Sequence, residues 1–382
     1  MSTVRPRGAS PTSREPRKLG NRPVLDGIRG IAVLLVIMFH TDVLHNGSIG
    51  VDMFFVLSGF LITALLLEEW EGKGRISLKS FYARRARRLL PALIWVVIAV
   101  AIVGIFNARM LSGLGWPVGI QALIALLFVN NLIQTFEPVG HMGVLGPTWS
   151  LAQEEQFYLI WPLVLLAALR RGIGPRAIAV ALGVLIAGLW LIEPHIDSAL
   201  PASYNNYYSP IDRSTELMLG CLAAFIWRHR LVRLPSGWVA GLCAAVLLVV
   251  WVWLLRLDGA GRWRVGYLGA SALAVPMLLM LLQAPNSPVA RLLGCGPLRF
   301  IGRISYCVYL VHLPLRSFVY WKRPHVSHLD HFLMVAAGAI VLGALSWWLL
   351  ESRIIARGRR SLMTESDTNS QLSRAIRVTS RA

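Results

Sequence analysis

The chain has 382 residues, of which 55% are hydrophobic and only 15% are charged, and its mean hydropathy is +0.59. A soluble domain carries about 25% charged residues, so this composition excludes an ordinary soluble fold. The net charge of +19 would suit nucleic acid, but the basic residues lie between apolar runs and in two tails, as in the cytoplasmic loops of membrane proteins. We therefore predict no nucleic-acid partner, and contact with anionic membrane lipids instead.

Apolar runs long enough to cross a bilayer recur along the chain, which predicts an all-α polytopic membrane protein. In chain order they are 27–44, 51–69, 89–106, 118–134, 148–168, 176–193, 211–227, 236–256, 267–283, 304–320 and 331–351. The basic tails indicate that both termini are cytoplasmic, whereas eleven full spans would separate them. We therefore expect about ten transmembrane helices and one re-entrant or interfacial segment. The polar end of 118–134 makes that run the best candidate.

Polar segments flank the apolar region. We predict disordered basic cytoplasmic tails over 1–25 and 353–382, a transmembrane domain over 26–352, and no cleaved signal peptide. The cell membrane is the expected location. The cysteines have no metal-ligand spacing, so we expect free thiols and no metal site; they are Cys221, Cys243, Cys295 and Cys307.

Arg29 and His40 share one face of the first apolar run. They are eleven residues apart, so on a helix their side chains lie within about 20° of each other and roughly 16 Å apart along the axis. Ionisable groups at membrane depth are costly unless they face protein or water, so both are functional candidates. The alternative for Arg29 is that its side chain only extends to the membrane interface.

Asp52 opens the second apolar run, a short loop after His40. The two side chains should therefore lie on the same side of the membrane. A carboxylate beside an imidazole fixes its tautomer and raises its basicity, so the pair could act as a general base on a hydroxyl group. The alternative is that Asp52 only caps the second helix.

An arginine cluster precedes the third apolar run. On a helix, Arg85 and Arg88 share a face, as do Arg84 and Arg88. Each guanidinium group can hold two phosphate oxygens, so the three are candidate phosphate ligands. A simple stop-transfer run of positive charge is the alternative interpretation.

Glu154, Glu155 and Tyr158 lie where the run 148–168 begins. The adjacent carboxylates could bind substrate, or could simply stabilise the helix dipole. Ser150 shares a face with Glu154, but it lacks the glycine-flanked turn of a serine nucleophile.

Two aromatic segments are candidates for substrate contact. Tyr306, Tyr309 and His312 recur at intervals of three, so one helical face carries all of them and could line a channel. A structural histidine is an equally good interpretation. The loop 194–210 holds amide and aromatic side chains at 204–208, which suit a polar ring-shaped ligand or, more commonly, an interfacial aromatic belt.

Together these segments resemble the membrane-bound acyltransferase 3 family, which acylates hydroxyl groups of sugars and some secondary metabolites. The matching segments occur in family order over about 21–351: Arg29 with His40, the runs from Gly50, Phe81 and Thr148, Asp212-Arg213 followed by Gly220, and the run from Ser305. The family takes its acyl group from cytoplasmic acyl-coenzyme A. The resemblance implies that Arg29 and His40 are functional and that the arginine cluster lies near the donor's phosphates.

The resulting hypothesis is an O-acyltransferase for groups other than amino-acyl groups. It would move an acyl group, acetyl by default, from acyl-coenzyme A to a hydroxyl of a carbohydrate, glycolipid or macrolide-type acceptor, with no permanently bound cofactor. His40 would be the general base, oriented by Asp52, or would carry the acyl group itself. The alternative is a multispan exporter or flippase of a polar or lipid-linked metabolite, with the ionisable residues as a proton relay.

This hypothesis assigns a role to every candidate site residue. The predicted catalytic residues are Arg29, His40, Asp52 and Glu154. The predicted donor ligands are Arg84, Arg85 and Arg88. The predicted substrate-binding residues are Glu155, Tyr158, Tyr306 and His312.

Overall fold

The computed structural model describes residues 16–106, 115–136, 141–199, 205–254 and 269–357. Within these ranges the chain is helical and contains no β-strand, so the all-α prediction is confirmed. The helices are α1 (Pro23–His40), α2 (Ile49–Lys73), α3 (Leu78–Phe106), α4 (Val118–Leu126), α5 (Asn130–Phe136), α6 (Thr148–Arg170), α7 (Pro175–Ala199), α8 (Pro210–His229), α9 (Gly237–Leu254), α10 (Gly269–Gln283), α11 (Pro288–Leu293), α12 (Gly296–Lys322) and α13 (His328–Ser346). A π turn at Trp347–Glu351 extends the last helix.

Six of the described helices are long and apolar enough to cross a membrane, namely α1, α2, α3, α7, α9 and α13 with its extension. Three more, α6, α8 and α12, have 23, 20 and 27 residues but are more polar. The described part of α10 has 15 residues. The protein is therefore a polytopic helical membrane protein, while a total of ten spans stays a prediction.

The run 118–134 is not a straight span. Its two helices, α4 and α5, meet at a bend of 118°. The backbone N–H of Trp116 donates to the carbonyl of His141 at 2.7 Å, so the residues flanking the pair lie together. The segment therefore turns back on itself, which matches the expectation of a re-entrant segment.

Side-chain amides hold this re-entrant pair against α6. Asn130 Nδ2 donates to Thr148 Oγ1 at 2.7 Å, and Asn131 Nδ2 donates to Gln153 Oε1 at 3.0 Å. Irregular backbone at membrane depth persists where protein surrounds it and satisfies its polar groups. The polar residues that weakened the case for a span are therefore the residues that hold the turn.

Glycines bring the helices that carry the candidate site close together. A Cβ atom at Gly59 of α2 would overlap the Leu217 carbonyl of α8, and one at Gly302 of α12 would overlap the Asp26 carbonyl of α1. Small residues allow membrane helices to approach to backbone contact. As a result α1 lies directly against α12, and α2 directly against α8.

Candidate active site

His40 ends α1, and its ring lies beside that of His312 from α12. His40 Nδ1 is 2.9 Å from the carbonyl oxygen of Val36 and 3.3 Å from His312 Nε2. Since a carbonyl oxygen can only accept a hydrogen bond, Nδ1 carries the proton and Nε2 of His40 keeps its lone pair. His312 is buried, and its Nδ1 bonds the Tyr309 carbonyl in the same way. The tautomer of His40 is thus set by backbone and by a second histidine.

A cavity of about 350 Å³ lies beside His40. We call it the histidine cavity. Aromatic residues, two amide side chains, and glycine and proline residues line much of it. They include Gln134, Gly143, Pro147, Trp149, Asn205, Tyr207, Tyr208 and Tyr309. Part of the loop 194–210 therefore lines the cavity rather than forming only an interfacial belt. Tyr204, of the same loop, lies outside the described residues.

Asp52 does not contact His40, and the expected pair does not form. The Asp52 carboxylate instead accepts a hydrogen bond from Arg213 of α8, and Arg213 donates to Glu216 at 2.6 Å. All three side chains are buried. A buried guanidinium group needs carboxylate partners to offset its desolvation, so Arg213 holds Asp52. The side chain that contacts the His40 ring is His312, not Asp52.

The cluster of Asp52, Arg213 and Glu216 supports one wall of the histidine cavity. The Arg213 guanidinium carbon lies 5.5 Å from the ring centre of Trp149 and 5.0 Å from that of Tyr207, which are cation–π distances. Sequence reasoning noted Arg213 only as part of a family pattern and missed Glu216. The available signal was an arginine and a glutamate three residues apart inside an apolar run.

A second, smaller cavity of about 40 Å³ is lined by two further charged candidates, Arg29 and Glu154. We call it the arginine cavity; it is lined by Arg29, Val51, Phe54, Phe55, Ser150, Leu151, Glu154, Ser305, Tyr306 and Tyr309. Arg29 lies 5.6 Å above the Phe54 ring, and Ser58 Oγ donates to Glu154 at 2.6 Å. The predicted residues Arg29, Glu154 and Tyr306 therefore lie together.

The arginines of α3 divide between two environments. Arg85 pairs with Glu155 at 3.2 Å and lies 3.3 Å above the Tyr158 ring, and the charges of Arg85 and Arg29 both act on Arg88. Arg84 instead pairs with Glu69 of α2 at 3.4 Å. Arg29, Arg85 and Arg88 therefore lie in one region, whereas the Arg84 side chain contacts α2.

Charges of both signs lie beside the arginine cavity, but not every arginine is directly paired. In the described part of the chain, neither Arg29 nor Arg88 has a carboxylate within 4.0 Å, and Arg29 Nε has no hydrogen-bond partner. Guanidinium groups without a carboxylate partner are suited to bind an anion that has several oxygen atoms. The described residues include no group of three histidine, cysteine or acidic side chains that could hold a metal ion.

Comparison with known proteins identifies similar chains. The family model described as "Acyltransferase domain" matches residues 22–351. The peptidoglycan O-acetyltransferase OatA of Listeria monocytogenes is 33% identical over 312 residues, covering 77% of this chain and 49% of that relative. The O-acetyltransferase OatA of Staphylococcus aureus is 28% identical over 376 residues, covering 93% and 61%. The chain thus spans about half to three-fifths of these relatives, and no solved structure matches it.

Proposed function

Because the chain belongs to the acyltransferase family that matches residues 22–351, we propose that it is a membrane O-acetyltransferase that uses acetyl-coenzyme A and a carbohydrate hydroxyl. One observation carries the proposal. A base-competent histidine ends α1 beside one cavity, and an arginine cluster lies near a second cavity that Arg29 of the same helix lines. This division suits a reaction whose acceptor and anionic donor approach separately.

The arginine cluster supports coenzyme A as the donor. Coenzyme A carries several phosphate oxygens, and in the described part of the chain neither Arg29 nor Arg88 is in direct contact with a carboxylate. With both termini in the cytoplasm, the basic start of α3 faces the cytoplasmic pool of acyl-coenzyme A. Glu155 orients Arg85 through its ion pair, and Tyr158 supports the same guanidinium group through its ring.

The histidine supports general-base chemistry. His40 Nε2 takes the proton of the acceptor hydroxyl, and the hydroxyl oxygen attacks the thioester carbonyl carbon. The carbon–sulfur bond then breaks, the thiolate leaves and takes up a proton, and the ester remains on the acceptor. His312 keeps His40 in the required tautomer through the contact at 3.3 Å. An acyl-histidine intermediate is the competing route, and trapping of acylated enzyme without acceptor distinguishes it.

The histidine cavity supports a carbohydrate acceptor. Its volume of about 350 Å³ and its lining by Trp149, Tyr207, Tyr208 and Asn205 suit a sugar ring, which stacks on aromatic faces and bonds to amides. A relative is named for peptidoglycan O-acetylation. Glycan fragments of peptidoglycan are therefore the first acceptor to test, before glycolipids and macrolides.

The test is acceptor-dependent release of free thiol. Purified protein in nanodiscs is mixed with acetyl-, propionyl- or succinyl-coenzyme A and with soluble peptidoglycan fragments, simple sugars or a macrolide, and the ester is identified by mass spectrometry. We expect thiol release with acetyl-coenzyme A, and its loss in His40→Ala. The matched control is His45→Ala, because His45 is exposed and lines neither cavity.

Two outcomes would contradict the proposal. Absence of both thiol release and coenzyme A binding would exclude the donor. Movement of labelled metabolite across the membrane without ester formation would favour a transporter.

A further inference from the structure

A charged pair lies where α1 ends beside α12. The carboxylate of Asp42 and the guanidinium group of Arg316 are 3.8 Å apart. Asp42 follows His40 by two residues, and Arg316 follows His312 by four, which is about one helical turn. The charges of Asp42 and Arg316 both act on His40. The pair therefore lies beside the part of the histidine cavity that His40 lines, and the reaction proposed above assigns it no role.

The guanidinium group of Arg316 is incompletely paired within the protein. Its distance to Asp42 is longer than a hydrogen bond, and its Nε atom has no hydrogen-bond partner in the described part of the chain. The Arg316 side chain is 38% exposed and that of Asp42 is 63% exposed. Since a guanidinium group has five N–H donors, Arg316 can bind the oxygen atoms of a ligand that arrives from water.

The backbone on both sides of this pair is held in place. His331 Nε2 of α13 donates to the Arg316 carbonyl at 3.3 Å. Asp42 has a φ of 60°, a left-handed conformation that aspartate tolerates better than most residues, and its N–H donates to the Phe39 carbonyl at 3.2 Å. The two side chains are thus exposed, but their backbone positions are fixed relative to His40.

Arg316 lies far from the arginines that the proposed function assigns to the donor. The charges of Asp26 and Arg29, near the start of α1, act on Arg88, whereas Arg316 lies past the end of α1. Asp26 and His40 are fourteen residues apart, which is roughly 21 Å along a helix. In the proposed orientation the end of α1 faces away from the cytoplasm. An anion bound at Arg316 would therefore belong to the acceptor rather than to coenzyme A.

We propose that Arg316 binds a carboxylate of the acceptor and thereby positions the acceptor hydroxyl at His40. This inference rests on the proposed function, in which His40 takes the proton of that hydroxyl. A single guanidinium group matches the single charge and the two oxygen atoms of a carboxylate, and its partner Asp42 is itself a carboxylate. Asp42 holds the guanidinium group before the acceptor arrives and then competes for it. Arg316 is thus a specificity-determining residue that favours acidic acceptors over neutral ones.

The test compares a peptidoglycan disaccharide that carries a free carboxylate with the methyl ester of the same disaccharide. Both keep the acceptor hydroxyls, and only the negative charge differs. Thiol release from acetyl-coenzyme A in nanodiscs gives kcat/KM for each form. We expect the wild-type protein to favour the free carboxylate roughly tenfold, and Arg316→Gln to abolish most of this preference. The ratio of the two kcat/KM values cancels any effect of the substitution on His40 that is common to both acceptors.

Asp42→Asn tests the same inference in the opposite direction. Asparagine also tolerates a left-handed backbone, so the variant keeps the local conformation and removes only the competing charge. The preference for the free carboxylate should widen by roughly threefold. If the ion pair were only structural, both Asp42→Asn and Arg316→Gln would lower thermal stability and leave the preference unchanged. Asp42→Asn therefore tests the inference even if Arg316→Gln does not fold.

The matched control is Arg323→Gln. Arg323 is an exposed arginine at the end of α12 and lines neither cavity. This substitution removes the same charge as Arg316→Gln and should leave the preference at the wild-type value.

The outcomes are distinguishable. Absence of thiol release with both forms of the disaccharide overturns the proposed acceptor, and this inference with it. Release with a kcat/KM that is equal for the two forms or higher for the ester overturns only the role of Arg316. A preference that survives in Arg316→Gln, or that narrows in Asp42→Asn, does the same.

Discussion

The histidine cavity and the arginine cavity use polar groups in opposite ways. Beside the histidine cavity, the ring nitrogens of His40 and His312 contact backbone carbonyl oxygens or each other. None of these contacts involves a carboxylate or a guanidinium group. Around Arg29 the side chains carry formal charges, and in the described part of the chain Arg29 itself has no carboxylate within 4.0 Å. A base needs a free lone pair, whereas an anion site needs unneutralised cations. In the proposed function, one membrane domain meets these two requirements in different cavities.

The largest expected effect separates the chemistry from donor binding. His40→Ala should lower the rate of acceptor-dependent thiol release by roughly 10²–10⁴-fold, the usual contribution of a general base. Its affinity for acetyl-coenzyme A should stay at the wild-type value, because the arginine cavity is intact. Single-turnover thiol release and equilibrium binding measure the two effects. Equal loss of both would show that the two cavities are not independent.

The next effect concerns the stability of the histidine cavity's wall. Arg213→Met leaves Asp52 and Glu216 buried without their cation, which should cost about 3–5 kcal/mol of folding free energy. The midpoint of thermal unfolding in detergent should fall accordingly. Arg170→Met, at an exposed helix end, is the matched control and should change stability by less than about 0.5 kcal/mol. Equal midpoints would mean that the buried cluster contributes nothing to stability.

A smaller effect sharpens the assignment of the arginine cavity. Arg88→Gln should weaken coenzyme A binding roughly tenfold or more, since a hydrogen bond to a charged group contributes about 1.5–3 kcal/mol. Arg84→Gln should have little effect, because its exposed side chain pairs with Glu69. The loss should shrink at high salt, which screens the remaining guanidinium groups. If Arg84→Gln and Arg88→Gln weaken coenzyme A binding equally, Arg84 also belongs to the donor site.

The smallest expected effect tests the orienting role of His312. His312→Leu removes the acceptor nitrogen that faces His40 Nδ1, so the rate should fall by roughly tenfold, equivalent to about 1.4 kcal/mol. His312→Gln can restore an acceptor oxygen and should recover part of the rate without changing acetyl-coenzyme A affinity. A purely structural histidine would instead lower protein yield or stability in both variants. The rate at saturating donor distinguishes these possibilities.

The parts of the site that follow from local periodicity could be predicted from the sequence. Arg29 and His40 lie on one helix, and the segment 118–134 departs from a straight span, because each depends on neighbouring residues alone. Partner choice was less predictable. His40 meets a residue 272 positions away, and Asp52 meets one 161 positions away. Helix spacing contains no information on which distant helix supplies such a partner.

Arg84 illustrates the same limit within a short distance. The spacing of four residues predicted that Arg84 and Arg88 act together. Arg84 instead pairs with Glu69 of α2, which lies fifteen residues earlier in the chain. Guanidinium side chains are long, so the nearest carboxylate on a neighbouring helix decides their direction more than the helical face does. An arginine from such a cluster can therefore be assigned to a ligand only when the tertiary structure shows which side chains surround it.

The amide contacts of the re-entrant pair have a consequence for biogenesis. Asn130 and Asn131 find their partners at Thr148, Gln153 and Gln156, which the ribosome makes later. Until Gln153 and Gln156 enter the bilayer, the side-chain amide of Asn131 would lack these partners, and an unsatisfied polar group in hydrocarbon costs several kcal/mol. We therefore expect α4 and α5 to reach their final arrangement only after α6 has entered the membrane.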